Sequence, residues 1–211
     1  MEQFTNIVRV AEDRFVFAVG RNNPIRTVDD AIAAMRAGDG RFSAGSAGPE
    51  GGLASLHMNR FAAAIRARYV YLAFAGASRV ANELIGLHLD AGHVKPADIF
   101  GQIRGGDVRP IVVFGRARIP RLPDVPALAE HGITHEDEKV GCMSHVVGPA
   151  GMAPALRDGV AALFRDVVMS EEFQAGSARD AVTTDGLTGA ALDSAVKEMF
   201  DAYRTAFLRG R

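Results

Sequence analysis

The chain is short of three things, and each shortage closes off a class of protein. A single cysteine, Cys142, rules out an intramolecular disulfide, so the fold holds without staples and the redox compartment cannot be read from bridges. Against 24 Lys+Arg stand 25 Asp+Glu, and a net charge of -1 leaves no sequence-wide field to draw in nucleic acid or an anionic membrane. No nucleic-acid partner is expected, and the local arginines Arg104, Arg109, Arg116, Arg118 and Arg121, with no aromatics between them, read as a solvated rim. Nor is there a run of about 18 apolar residues, or a basic and then apolar leader after Met1, Glu2 and Gln3. As written, the chain is expected to be neither exported nor membrane-spanning. What is present is ordinary: 211 residues, 48% hydrophobic and 23% charged, enough for one large domain or two lobes of unequal size.

The most informative stretch is Phe42 to Leu56, where a short apolar strand runs through Ser46-Ala47-Gly48-Pro49-Glu50-Gly51-Gly52 into a helix. Such a turn leaves backbone N–H groups free at a helix start that carries about half a positive charge, so the segment reads as a seat for a carboxylate or phosphate. Plain turn chemistry is the competing reading of the same glycines.

Around it, strand and helix signals alternate. Phe4–Val10 and Phe15–Val19 read as strands about a charged turn at 11–14; Thr27 caps a helix that stops at Gly38; Leu53, Leu56, Phe61 and Ile65 share a helix face. Tyr69–Phe74 reads as a buried strand, Val80, Leu84 and Ile85 as a helix, Leu87–Ala91 as a short strand and Arg109–Phe114 as another. After a proline-rich boundary at Pro120, Pro123 and Pro126, Val140–Val147 reads as a second buried strand, and Pro154 opens a helix with a core face of Leu156, Val160, Leu163, Phe164 and Val167. Leu192, Val196, Met199, Phe200, Tyr203 and Phe207 mark an amphipathic C-terminal helix. This order implies an α/β fold around a mainly parallel sheet.

No constellation for catalysis or a metal emerges. His88 and His93 match no zinc spacing, Cys142 and His145 fall on opposite faces of a strand, His135-Glu136-Asp137-Glu138 reads as a solvated loop, and Ser46 lacks the frame of a nucleophile elbow. Neither enzyme activity nor a cofactor or metal is expected.

The order of motifs resembles the solute-binding proteins of tripartite tricarboxylate transporters, the Bug family. Asn6–Glu12 is similar to that family's first strand in this region, Phe42–Gly52 to its Ser-Ala-Gly loop, and Leu72–Ala77 to its Val-Pro-Tyr-x-Gly turn. Gly86–Asp90 is similar to its Gly-x-Val-Asp strand, Arg121–Gly132 to its Leu-Pro-Asp-Val-Pro-Thr signature, and Gly148–Pro154 to its Pro-x-Gly-x-Pro turn. The resemblance implies a periplasmic-binding-protein type II fold, a two-lobed Venus flytrap that closes on a small carboxylate and delivers it to membrane transporter subunits. Roughly the family's N-terminal third has no counterpart, so the expectation is lobe two at 12–134, with 1–11 and 135–211 forming crossover strands and part of lobe one. Apolar surface left on that lobe is expected to favour a homodimer.

The ligand contacts carried over are Ser46, Ala47, Gly48, Glu50, Gly51, Phe74, Gly76 and Asp90. Glu50 stands where the family has a small residue and would repel a carboxylate or select a cation, and Phe74 replaces a tyrosine. With half of the family's seat absent, one helix start contributes about 0.3–1 kcal/mol, up to about 2, where micromolar capture takes about 8. The chain alone is expected to bind weakly. Location follows as periplasmic by resemblance, or cytoplasmic if Met1 is the true start. A cytosolic ligand-sensing domain of LysR-regulator type and a diverged non-binding relative are the alternative functions.

Overall fold

The computed structural model describes residues 4–133 and 142–209. The chain divides into two compact units. One comprises Met1–Asp13 and Lys139–Ala206, the other Arg14–Glu138 with Phe207–Arg211.

The second unit holds a five-stranded sheet in the order β4-β3-β5-β2-β6, built from β2 (Val16–Gly20), β3 (Ser43–Ala47), β4 (Val70–Phe74), β5 (Ala91–Val94) and β6 (Val108–Val113). β3 runs parallel to β4 and to β5, whereas β2 lies antiparallel to both β5 and β6, so four strands point one way and one is inserted against them. Between strands run α1 (Val28–Ala37), α2 (Leu53–Ala64), α3 (Ala77–Ile85) and the short α4 (Phe100–Arg104). α1 starts where the chain offers a full capping box: Asp30 N–H donates to Thr27 Oγ1 and Thr27 N–H donates back to Asp30 Oδ2. Arg26 N–H, then the Thr27 hydroxyl and Thr27 N–H, hold the Asp30 carboxyl below its ordinary range.

α2 and α3 cover opposite faces of this sheet. A Cβ on Gly92 would meet Val80 and Leu84 of α3, while the next side chain on β5, His93, reaches His57 of α2 on the other side, as strand alternation requires. The core so formed includes Phe17, Met35, Met58, Phe61, Leu84, Ile99 and Leu128, all essentially without exposure.

The first unit is thinner. β1 (Phe4–Asp13) pairs antiparallel with β7 (Cys142–Pro149), followed by α5 (Pro154–Val168), α6 (Glu171–Arg179) and α7 (Gly189–Arg209). Its apolar cluster is Ile7, Val8 and Ala161, joined by partly buried Val10, Val146, Met152 and Val160. Polar ties supplement it: Arg157 bonds to the Asn6 carbonyl at 2.9 Å and to Asp193 at 2.9 Å, and Arg9 pairs with Asp185 and Glu12.

Several sequence expectations are corrected here. The supposed turn at 11–14 is mostly strand, because Glu12 and Asp13 stay in the ladder opposite Met143 and Cys142. β4 is an edge strand with Val70 and Leu72 exposed, not a buried one, and β7 is only half-buried. The strand expected at 87–91 begins at Ala91, since Leu87 takes φ +59 in the turn closing α3. On α5 the expected core face is open: Leu156 is 58% and Leu163 70% exposed, and the residues buried there are Ala161 and Val168. The charged segment His135–Glu138 lies outside the described residues.

Candidate functional site

The parallel register Ser46↔Ala73 and Ala47↔Phe74 brings the C-terminal ends of β3 and β4 side by side. Each strand then turns directly into a helix, so the starts of α2 and α3 flank the same strand edge from opposite faces. Ligands of open α/β sheets bind in the crevice beyond such strand ends. Neither helix has a side-chain cap or an acidic residue in its first turn. The backbone N–H groups of Gly48, Glu50, Leu53 and Ala54 at one start, and of Gly76, Ala77 and Ser78 at the other, have no partner among the described residues. Two sets of unpaired donors, each at the positive end of a helix dipole, make one electropositive edge.

The loop between β3 and α2 is held from inside. Ser55 Oγ accepts from Gly51 N–H at 2.8 Å and donates to the Gly52 carbonyl at 2.9 Å, while Tyr71 Oη donates to the Gly48 carbonyl at 2.9 Å. Gly48 and Gly51 take φ of +147 and +83, conformations that a side chain resists, and a Cβ at either would meet open space. Burial raises the Tyr71 hydroxyl pKa, with the Ser46 hydroxyl bond opposing and the Glu50 charge adding to the rise. Ser46 is therefore buried beneath the loop beside Tyr71, a support for the turn.

Of the residues carried into the site from sequence, Ala47, Gly48, Glu50 and Gly51 lie on this loop, and Gly76 caps the neighbouring helix. The Gly51 amide is already taken by Ser55. Glu50 is exposed and its carboxylate has no hydrogen bond among the described residues, so the loop's internal cap is Ser55 and the carboxylate at position 50 stays on the solvent side. Phe74 turns its ring over Gly45, where a Cβ would stand 2.9 Å from it; the missing side chain on β3 is what admits the ring.

The structure places Asp90 away from this loop. Its Oδ2 accepts from Ser43 N–H at 2.7 Å and from Ser43 Oγ at 2.8 Å, and its own N–H donates to Ser43 Oγ at 3.0 Å. Ser43 opens β3 and Ala47 ends it, a separation of about 13 Å at strand rise. Asp90 thus clamps the starts of β3 and β5 at the far edge of the sheet, beside a cavity of about 310 Å³ lined by Asn23, Arg41 and Phe42 among others.

Two contributors were missed in the sequence. Tyr71 reads there as one more apolar strand position, although a tyrosine in an edge strand can reach past its end. Arg79 is exposed in the first turn of α3, and its guanidinium has no ion pair or hydrogen bond among the described residues. A cation at that end of a helix is unfavourable unless an anion joins it, a signal readable from the spacing Gly76 to Arg79.

The family model for the tripartite tricarboxylate transporter family receptor matches residues 1–175. A Cupriavidus necator protein described as a UPF0065 protein in the gbd 5' region is 28% identical over 129 residues, 60% of this chain and 38% of the relative, so the match takes in well under half of that protein's length. Among solved structures, the periplasmic binding protein BugD superposes with a TM-score of 0.86 at 19% identity, covering 98% of this chain and 69% of BugD. MatC from Rhodopseudomonas palustris, with bound malate, gives 0.84 at 15% identity, covering 97% and 69%. An R. palustris protein with adipate gives 0.86 at 16%, covering 99% and 69%. These likenesses assign the fold, that of type II periplasmic binding proteins, and the family model covers most of the chain. This chain belongs to the tripartite tricarboxylate transporter receptor family.

Proposed function

We propose that the chain acts as the solute-binding receptor of a tripartite tricarboxylate-type transporter, holding a small carboxylate at the joined starts of α2 and α3 and presenting it to the membrane subunits, in a periplasmic setting. The observation that carries this reading is the pair of uncapped helix starts, with seven unpartnered amides, at the ends of β3 and β4. The carboxylate accepts from Leu53, Ala54, Gly76 and Ala77 N–H, Arg79 supplies a counter-charge, and Phe74 forms an apolar wall. Glu50 at the loop tip repels negative charge, so the second carboxylate of a diacid points away from position 50. The malate held by MatC and the adipate held by the R. palustris relative support short dicarboxylic acids as the class.

Magnitudes set the expected strength. Two helix starts at up to about 2 kcal/mol each sum to about 4 kcal/mol, a dissociation constant of about 1 mM. Calorimetry of the chain with malate and with adipate at low ionic strength is expected to show saturable millimolar binding. Ala77→Pro removes one free N–H at the first helical position, where proline fits and the preceding Gly76 is already extended. It is expected to weaken binding about tenfold, the worth of one hydrogen bond to a charged group. Absence of saturation by either acid, or an Ala77→Pro variant that binds unchanged, contradicts the reading.

A further inference from the structure

His93 lies in the middle of the larger unit's core with no exposure, and neither ring nitrogen has a hydrogen-bond partner. Its imidazole stacks on Phe15 at 4.5 Å between centroids and 9° between planes, and meets Phe114 edge-on at 4.4 Å. On its remaining side stands His57 of α2, 5.4 Å away and nearly perpendicular. His57 in turn faces Phe15 and Phe114, so four rings close on one another. They join α2 to β5 and to the chain flanking β2 and β6.

A neutral imidazole fits this surrounding and an imidazolium does not. A cation there would need two acceptors for its N–H groups and finds aromatic faces and edges instead. Of the groups turned toward it, Phe15 and Phe17 from the β2 region and Phe114 from the end of β6 do not titrate, and Val80 and Leu84 of α3 lie on the opposite face of β5. Among the described residues the titratable neighbour is His57, which adds repulsion. Lys95, next on the same alternation of β5, pairs with Asp98.

We propose that this ring cluster is an acid-sensitive latch: proton uptake at His93 requires α2 to leave the sheet, so acidification opens the larger unit from the α2 side. The consequence for a bound anion rests on the reading of the α2 start as a seat, since the loop at 48–52 is carried by that helix; the latch itself does not.

The sign follows from linkage. Burial, with His57 second, holds His93 well below the ordinary value of 6.5. Above that value neither the folded nor the opened state binds the proton, and the latch is fully closed. Below it the opened state gains a proton that the folded state refuses, so the ratio of opened to folded molecules rises up to about tenfold per pH unit.

The test is urea unfolding of the full chain, followed by circular dichroism between pH 7.5 and 5.0, for wild type and His93→Phe. The wild-type unfolding constant is expected to climb relative to the variant by up to about tenfold per unit below pH 6.5, and to keep a constant ratio to it above. Parallel pH profiles overturn the latch. Should His93→Phe fail to fold, the wild-type His93 ring resonance decides: no titration in the folded state down to pH 5.5 upholds the latch, and an ordinary titration near 6.5 without unfolding overturns it. Both readouts are independent of any ligand, so their failure is distinct from failure of the carboxylate seat.

Discussion

The two units carry similar patterns of apolar residues and use them differently. In the larger, Phe61 and Met58 of α2 and Leu84 of α3 are sealed against a five-stranded sheet whose two faces are both covered. In the smaller, a two-stranded sheet carries one cluster around Ile7, Val8 and Ala161, while Leu156, Leu163, Phe164 and Val167 of α5 and Phe200 of α7 remain exposed. An amphipathic stripe records that a helix has an apolar face; it does not record that anything lies on that face.

Substitutions that treat the units alike should separate them. Phe61→Ala, which empties a fully enclosed site between α2 and the sheet, is expected to cost about 3–5 kcal/mol of unfolding free energy by urea titration. Leu163→Ala, at a position the periodicity marks as equally core-facing, is expected to change stability by less than about 0.5 kcal/mol. Equal losses would mean the α5 face is covered in solution. Between these falls Asp90→Ala, which leaves the buried start of β3 without the acceptor for Ser43 N–H; a loss of about 1–3 kcal/mol is expected, with carboxylate binding retained. Loss of binding without loss of stability would return Asp90 to the seat. The smallest effect is expected from Thr27→Ala, about 1 kcal/mol for one helix cap, checked by the same titration.

Local chemistry was legible in the sequence, and non-local placement was not. Thr27 with Asp30 announces α1, Gly52 and Gly76 announce the two helix starts, and the motif order from Asn6 to Pro154 carries the family and its fold. Burial of β4 and α5 was misread because edge position and missing cover are properties of the assembled sheet, invisible to a window of residues. The place of Asp90 depends on strand onset: with Leu87 in a left-handed turn, the strand starts at Ala91, and Asp90 becomes the clamp before it. Ser46 enters the set through the resemblance to the family's Ser-Ala-Gly loop, and strand alternation turns its side chain inward to Tyr71.

The most direct test follows the backbone amides themselves, by nitrogen–proton correlation spectra of the chain titrated with malate. Saturable shifts are expected at Gly48, Glu50, Leu53, Ala54, Gly76, Ala77 and Ser78, with Ser43 and Asp90 unmoved. Shifts gathered instead around Asn23, Arg41 and Asp90, or no saturable shift at the two helix starts, would contradict the carboxylate seat.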